Sequence, residues 1–282
     1  MKPPIKIIHF LILATALTLV ANFIPALSSA GNIKSLVIMW TPGLAALVVS
    51  LIHKRSLREI GWGFSLKWIA LGWIIPVTYG SISYFIIWLT GVGEFPNPTF
   101  LERAQFTMGF ESENSGLVIL AAFFYITLVN LLPSMFLGLG EEIGWRGFLV
   151  PELFKRVDFK MTAIISGLIW AIWHLPGIIQ GEYGESSTPL GYRLVCFFLL
   201  VISGAIILAW LRIKSGSIWP VAVFHATHNG VIQTFFDRLT KYEELTPYFA
   251  GEFGIVVPLI SMAIALIFLK NSGTSLGLND RK

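Results

Sequence analysis

Long apolar runs separated by short polar segments divide the chain from end to end. A bilayer core takes about 20 apolar residues as helix, because no water is present there to satisfy an open backbone. Eight runs reach that length, near 7–27, 35–52, 68–91, 117–139, 161–180, 194–212, 217–236 and 252–270. The expected fold class is therefore all-α, a polytopic membrane protein of about eight transmembrane helices. Pro96, Asn97 and Pro98 punctuate the longest loop, 92–116, and the stretch 99–110 fits a short interfacial helix. Asn271 to Lys282 reads as a frayed tail. No internal repeat is visible, which weakens a transporter built from inverted repeats.

Composition sharpens this reading. Of the 282 residues 55% are apolar and 13% charged, against about a quarter charged in an ordinary soluble domain. With a mean hydropathy of +0.74 and 10 Trp, 22 Phe and 7 Tyr, the chain lacks the polar residues needed to cover a water-soluble surface. Disorder, a collagen-like fibre and a nucleic-acid partner are excluded on the same grounds. Cys196 is the only cysteine and lies in an apolar run, so no internal disulfide and no cysteine-based zinc cluster is possible.

Charge then orients the spans. Lys2 and Lys6 before an apolar run, followed by Ser28-Ser29-Ala30, resemble a secretory signal with a small-residue cleavage site. The run from Ile7 to Ala21 exceeds most signal cores and a second span follows at once, so we expect the first helix to be retained. With eight spans, one side collects 15 of the 20 Lys and Arg, including Lys54, Arg55, Arg58, Arg146, Arg212 and Lys214, and the other holds Lys34, Arg103, Arg193, Arg238 and Lys241. Basic residues mark the cytoplasmic side. Both termini are expected there, in the plasma membrane of a prokaryote, with acidic loops (Glu94, Glu102, Glu111, Glu113, Glu182, Glu185) outside.

Ionisable residues inside spans are costly unless they face protein or water, which makes them functional candidates. They fall in three places: Gly140-Glu141-Glu142-Ile143-Gly144-Trp145-Arg146-Gly147, Trp170-Ala171-Ile172-Trp173-His174-Leu175-Pro176, and Phe224-His225-Ala226-Thr227-His228-Asn229. Glu142 and Arg146 are four residues apart and share a helix face, while Glu141 points about 100° away. The spacing predicts a Glu142–Arg146 ion pair and leaves Glu141 for a cavity. The alternative is a salt bridge at a helix end with a solvated glutamate beside it. Glycines 140, 144 and 147 fit close packing against a neighbouring helix. His174 lies 13 residues into its span, about 20 Å from the cytoplasmic start, with Trp170 one turn earlier on the same face. It could equally be a buried histidine bonded to a carbonyl. His225 and Asn229 share one face; His228 sits about 60° aside, where packing or a lateral hydrogen bond suits it better than chemistry. His9 and His53, near span ends, need no special role.

Together the clusters supply the parts for peptide-bond hydrolysis. Glu141 can take a proton from water that His174 fixes, and His225 with Asn229 can hydrogen-bond the oxyanion, while Arg146 holds Glu142. A metal variant uses Glu141, His174 and His225 as ligands to zinc with an open fourth position.

The ordered set Glu141-Glu142-x-x-x-Arg146, His174, then His225-x-x-x-Asn229 on membrane helices resembles the CPBP (Abi) family, which groups CAAX prenyl endopeptidases with bacteriocin-processing and bacteriocin-immunity proteins. The resemblance covers about 117–236. It implies a conical catalytic cavity facing the cytoplasm, with Glu141 as base, His174 beside it, and His225 plus Asn229 at the oxyanion. It also divides the chain into 1–116 (three helices and an outer loop), a catalytic core at 117–236, and 237–282 (last helix and tail). The family usually has Phe where this chain has Trp170, four residues before His174. It is commonly labelled metalloprotease, and a metal-free glutamate-and-histidine site is also argued for it; zinc and no metal both stay open. The expected activity is that of an intramembrane endopeptidase acting on a peptide or lipidated protein, alongside membrane lipid. A non-proteolytic immunity or scaffold protein and a proton- or cation-coupled transporter are the alternatives.

Overall fold

A computed structural model of the protein describes residues 4–24, 31–184 and 187–272. The proposed cleavage site at Ser28–Ala30, Glu185 and most of the expected tail lie outside them. Helices build the described chain: α1 (Ile5–Phe23), α2 (Gly31–Ile52), α3 (Leu66–Leu89), α4 (Pro98–Met108), α5 (Ser115–Phe124), α6 (Leu131–Glu142), α7 (Val150–Phe154), α8 (Phe159–Ile179), α9 (Leu190–Ser215), α10 (Trp219–Asn229) and α11 (Val256–Lys270), with shorter turns between. The helix expected over 99–110 forms as α4. It is capped by Asn97, whose side chain accepts from the Thr99 N–H at 3.1 Å, and it has proline in its first turn. Strand pairing among the described residues is confined to β1 (Gly93–Glu94) against β2 (Lys241–Tyr242), antiparallel.

Five helices are long and apolar enough to cross a membrane: α1, α2, α3, α8 and α9. The expected span at 117–139 is instead a bent pair, Ser115–Val129 and Leu131–Phe154, meeting at 46°. By length and composition, five of the eight expected spans, or six if the bent pair crosses once, are matched by helices of crossing length among the described residues. The span expected at 252–270 forms as the 15-residue α11. That expected at 217–236 forms as α10 continued by a π-helical stretch, Gly230–Phe236; it carries His225, His228, Asn229 and Gln233, which lowers its apolarity. Lipid suits the outer surface, where Leu132 (67% exposed), Leu89 (71%) and Phe85 (60%) stand free.

Two polar ends bracket the bundle. At one, His9 Nδ1 meets His53 Nε2 at 3.0 Å, Arg55 donates to the Gly147 carbonyl at 3.0 Å, and Arg212 donates to the Glu59 carbonyl at 2.7 Å. Gly216, at φ 67°, ends α9 on this side, a conformation that glycine adopts without side-chain strain. The other end carries α4, the β1–β2 pair and the segments 180–184 and 237–255. Between them, α2 packs on α1 and α6, α3 on α10, and α9 on α8 and α11.

Candidate active site

Glu141 and Glu142 end α6, both buried, where the helix widens into the π-helical stretch Ile143–Leu149. Such wide turns recur at functional sites. The Glu142–Arg146 pair expected from spacing forms, with Arg146 Nη1 donating to Glu142 Oε1 at 2.9 Å. Arg146 is wholly buried, so it is a residue of the bundle interior and not of a cytoplasmic loop, where the charge count had placed it. Its guanidinium lies over the Trp170 ring, 3.9 Å from the centroid. Glu142 Oε1 also accepts from His225 Nδ1 at 2.8 Å. A carboxylate only accepts when ionised, so Nδ1 of His225 carries a proton and Nε2 is its remaining nitrogen.

Glu141 turns away from that pair. Its Oε2 accepts the Trp170 indole N–H at 2.6 Å. His174 Nδ1 faces the Trp170 carbonyl at 2.9 Å; a carbonyl cannot donate, so this nitrogen also carries its proton and Nε2 is left as an acceptor. Trp173 and Phe197 pack edge-on against the His174 ring at 4.8 and 5.2 Å between centroids. The bond to a carbonyl considered for His174 is therefore present, and the same ring faces a cavity.

Close packing makes the arrangement possible. A Cβ at Gly140 would lie 2.6 Å from the Trp40 backbone, and one at Gly144 would lie 2.5 Å from Pro42, so α6 and its continuation sit directly on α2. A Cβ at Gly138 would meet the His225 ring at 3.3 Å, so the missing side chain leaves the imidazole its place.

One cavity of about 580 Å³ collects these groups, with Glu141, Trp170, His174, His225 and Asn229 all in its lining. His228 makes the lateral bonds expected of it, to the Tyr79 hydroxyl and, through Nε2, to Glu252 Oε1 at 2.7 Å. It also lines the cavity. Glu252 and its partners were not singled out from sequence: Tyr183 donates to Glu252 Oε2 at 2.5 Å and Gln233 to Oε1 at 3.0 Å. An acidic residue inside the apolar stretch Ala250 to Val257 was the available signal.

Among the described residues no three His, Cys, Asp or Glu side chains come together so as to hold a metal ion. Glu141, His174 and His225 do not form such a group; Trp170 engages Glu141 Oε2, and the Nδ1 bonds of the two imidazoles leave Nε2 of each open.

The cavity lining also includes Lys34 and Glu182, paired Nζ to Oε1 at 2.7 Å. Inward, toward Arg55 and Arg212, Trp145, Phe148 and Leu149 are buried in the core.

A carboxylate, two imidazoles and an amide gathered from separate helices around one hollow in an apolar bundle form a candidate hydrolytic site. The sequence model of the type II CAAX prenyl endopeptidase Rce1-like family matches residues 117–231. Over 196 residues the chain is 30% identical to the CAAX prenyl protease 2 of Methanococcus maripaludis, an alignment covering 65% of this chain and 67% of that protein. The chain belongs to the CPBP family and is a membrane endopeptidase.

Proposed function

We propose that the protein hydrolyses a peptide bond in a peptide or lipidated protein at the Glu141–His174–His225–Asn229 cavity. The observation that carries this reading is the lining itself: four polar side chains from α6, α8 and α10 face one hollow. Glu141 takes a proton from a water that also donates to His174 Nε2, and the oxygen attacks the scissile carbonyl carbon. The carbonyl oxygen, now negative, receives hydrogen bonds from the Asn229 amide and from His225 Nε2 when that ring carries its second proton, the charge being balanced by Glu142 across the ring. Glu141 then passes its proton to the leaving nitrogen as the C–N bond breaks. Glu142 and Arg146 act as positioning residues, and the core 117–236 holds every group in this scheme.

Prenylated CAAX proteins are one substrate class consistent with the family. A panel of labelled lipidated peptides, incubated with purified wild type, Glu141→Ala, His174→Ala and His225→Ala and read by product mass, tests the proposal. Cleavage by wild type and none by the three folded variants is the expected result. Undiminished cleavage by all three would remove the assigned site.

A further inference from the structure

We propose that Gln233 is a substrate-binding residue: its side-chain carbonyl oxygen, aimed by Glu252, accepts a backbone N–H of the bound peptide about two residues from the scissile bond. The inference rests on the hydrolytic reading above and adds to it a group that holds the substrate away from the reacting atoms.

The position follows from the helix. His225 and Asn229 lie one turn apart on α10, and Gln233 lies four residues further on, in the π-helical stretch Gly230–Phe236. All three residues line the same cavity. Four residues of helix advance about 6 Å, the length of about two residues of extended peptide. A peptide whose scissile carbonyl sits at Asn229 and which runs along this helix therefore brings a main-chain amide to Gln233.

The orientation follows from the partners. Glu252 Oε1 takes His228 Nε2 at 2.7 Å and Gln233 Nε2 at 3.0 Å, and Oε2 takes the Tyr183 hydroxyl at 2.5 Å. A carboxylate offers only acceptors, so turning the Gln233 amide over would set its oxygen against Glu252 Oε1. The Tyr183 oxygen, whose proton goes to Glu252, lies 3.5 Å from the same Gln233 nitrogen and favours the same orientation. Glu252 is thus a positioning residue for the amide, and the carbonyl oxygen is the open end; among the described residues nothing donates to it. His228, by contrast, has both ring nitrogens occupied, by Tyr79 and Glu252, and offers a peptide no further bond. Tyr183, Gln233 and Glu252 also border a second hollow of about 490 Å³; an oxygen turned into that hollow would leave peptide binding untouched.

The test deletes the hydrogen bond from either side. A panel peptide that purified wild type cleaves is remade as a series in which each main-chain amide near the scissile bond is in turn an ester, which removes one N–H and keeps the chain length. Product mass confirms that the same bond is cut. One ester, about two residues from that bond, is expected to lower kcat/KM by about 3–10-fold, the worth of one neutral hydrogen bond. Gln233→Met keeps the length of the side chain and loses its acceptor; it is expected to lower kcat/KM on the all-amide peptide by a similar factor and to treat that ester and the amide alike. Glu252→Gln leaves the Gln233 amide free to turn and is expected to shrink the same discrimination, a change that lost stability alone does not produce. Because the ester series is read first on wild type, it does not depend on a variant folding: wild type that cleaves every ester as fast as the amide overturns the inference. So does a series in which wild type and Gln233→Met discriminate equally, and in both cases the hydrolytic reading stands. No cleavage of any panel peptide by folded wild type defeats that reading, and this inference with it.

Discussion

The indole N–H of Trp170 holds Oε2 of Glu141 at 2.6 Å, while the face of the same ring carries the Arg146 guanidinium 3.9 Å from its centroid. One side chain therefore serves two buried charges of opposite sign, one by its edge and one by its π-face. A desolvated cation–π contact contributes about 2 kcal/mol.

Phenylalanine retains the face and loses the edge donor. Trp170→Phe is expected to fold and to turn substrate over at a reduced rate, because Glu141 keeps its place beside the cavity without its anchor. Trp170→Ala removes both and is expected to lose about 3–5 kcal/mol of stability, as large aromatic truncations do. Thermal unfolding in detergent and turnover of one peptide separate the two variants; equal behaviour would mean that the ring face carries nothing.

The Glu142–Arg146 pair is fully buried, and removing one partner strands the other charge. Arg146→Ala is expected to cost about 3–5 kcal/mol. Combining it with Glu142→Gln recovers part of that loss, because no uncompensated carboxylate remains. A double variant no more stable than Arg146→Ala contradicts this.

Glycines of the same helix separate stability from chemistry. Gly144→Ala drives a methyl into the Pro42 backbone at 2.7 Å and is expected to cost about 1–3 kcal/mol. Gly138→Ala presses on the His225 ring at 3.3–3.5 Å, where the imidazole can shift by a few tenths of an ångström. Its expected signature is lowered turnover with near-normal unfolding. The opposite pattern would place Gly138 in packing alone.

Because no three potential ligands converge among the described residues, turnover is expected to survive dialysis against EDTA. Zinc bound one per chain and lost together with activity would contradict that.

Much of the site could be read from spacing, since helical geometry relates neighbours four residues apart without any knowledge of the fold. That rule placed Arg146 on Glu142, turned Glu141 aside, and set the glycines against a neighbouring helix, which for Gly140 and Gly144 is α2. It fails wherever a partner comes from elsewhere in the chain: Glu252 reaches His228 from 24 positions away and Tyr79 from 149, and no local periodicity links them. The 46° bend between Ser115–Val129 and Leu131–Phe154 was hidden for a similar reason, as both halves are equally apolar. Counting from Phe159 makes His174 deep, yet it lies only 5 residues from Ile179, about 7.5 Å along the axis. Depth from one surface does not say which surface the cavity meets.

Glu141→Gln tests most directly whether Glu141 is the base. The amide oxygen of glutamine still accepts the Trp170 N–H, so the fold and the cavity are kept while the proton acceptor is lost. With purified protein of wild-type thermal stability, the rate of peptide cleavage at saturating substrate is expected to fall by about 10²–10⁴, the usual contribution of a general base. A Glu141→Gln enzyme that cleaves the same bond at the wild-type rate would contradict the assignment.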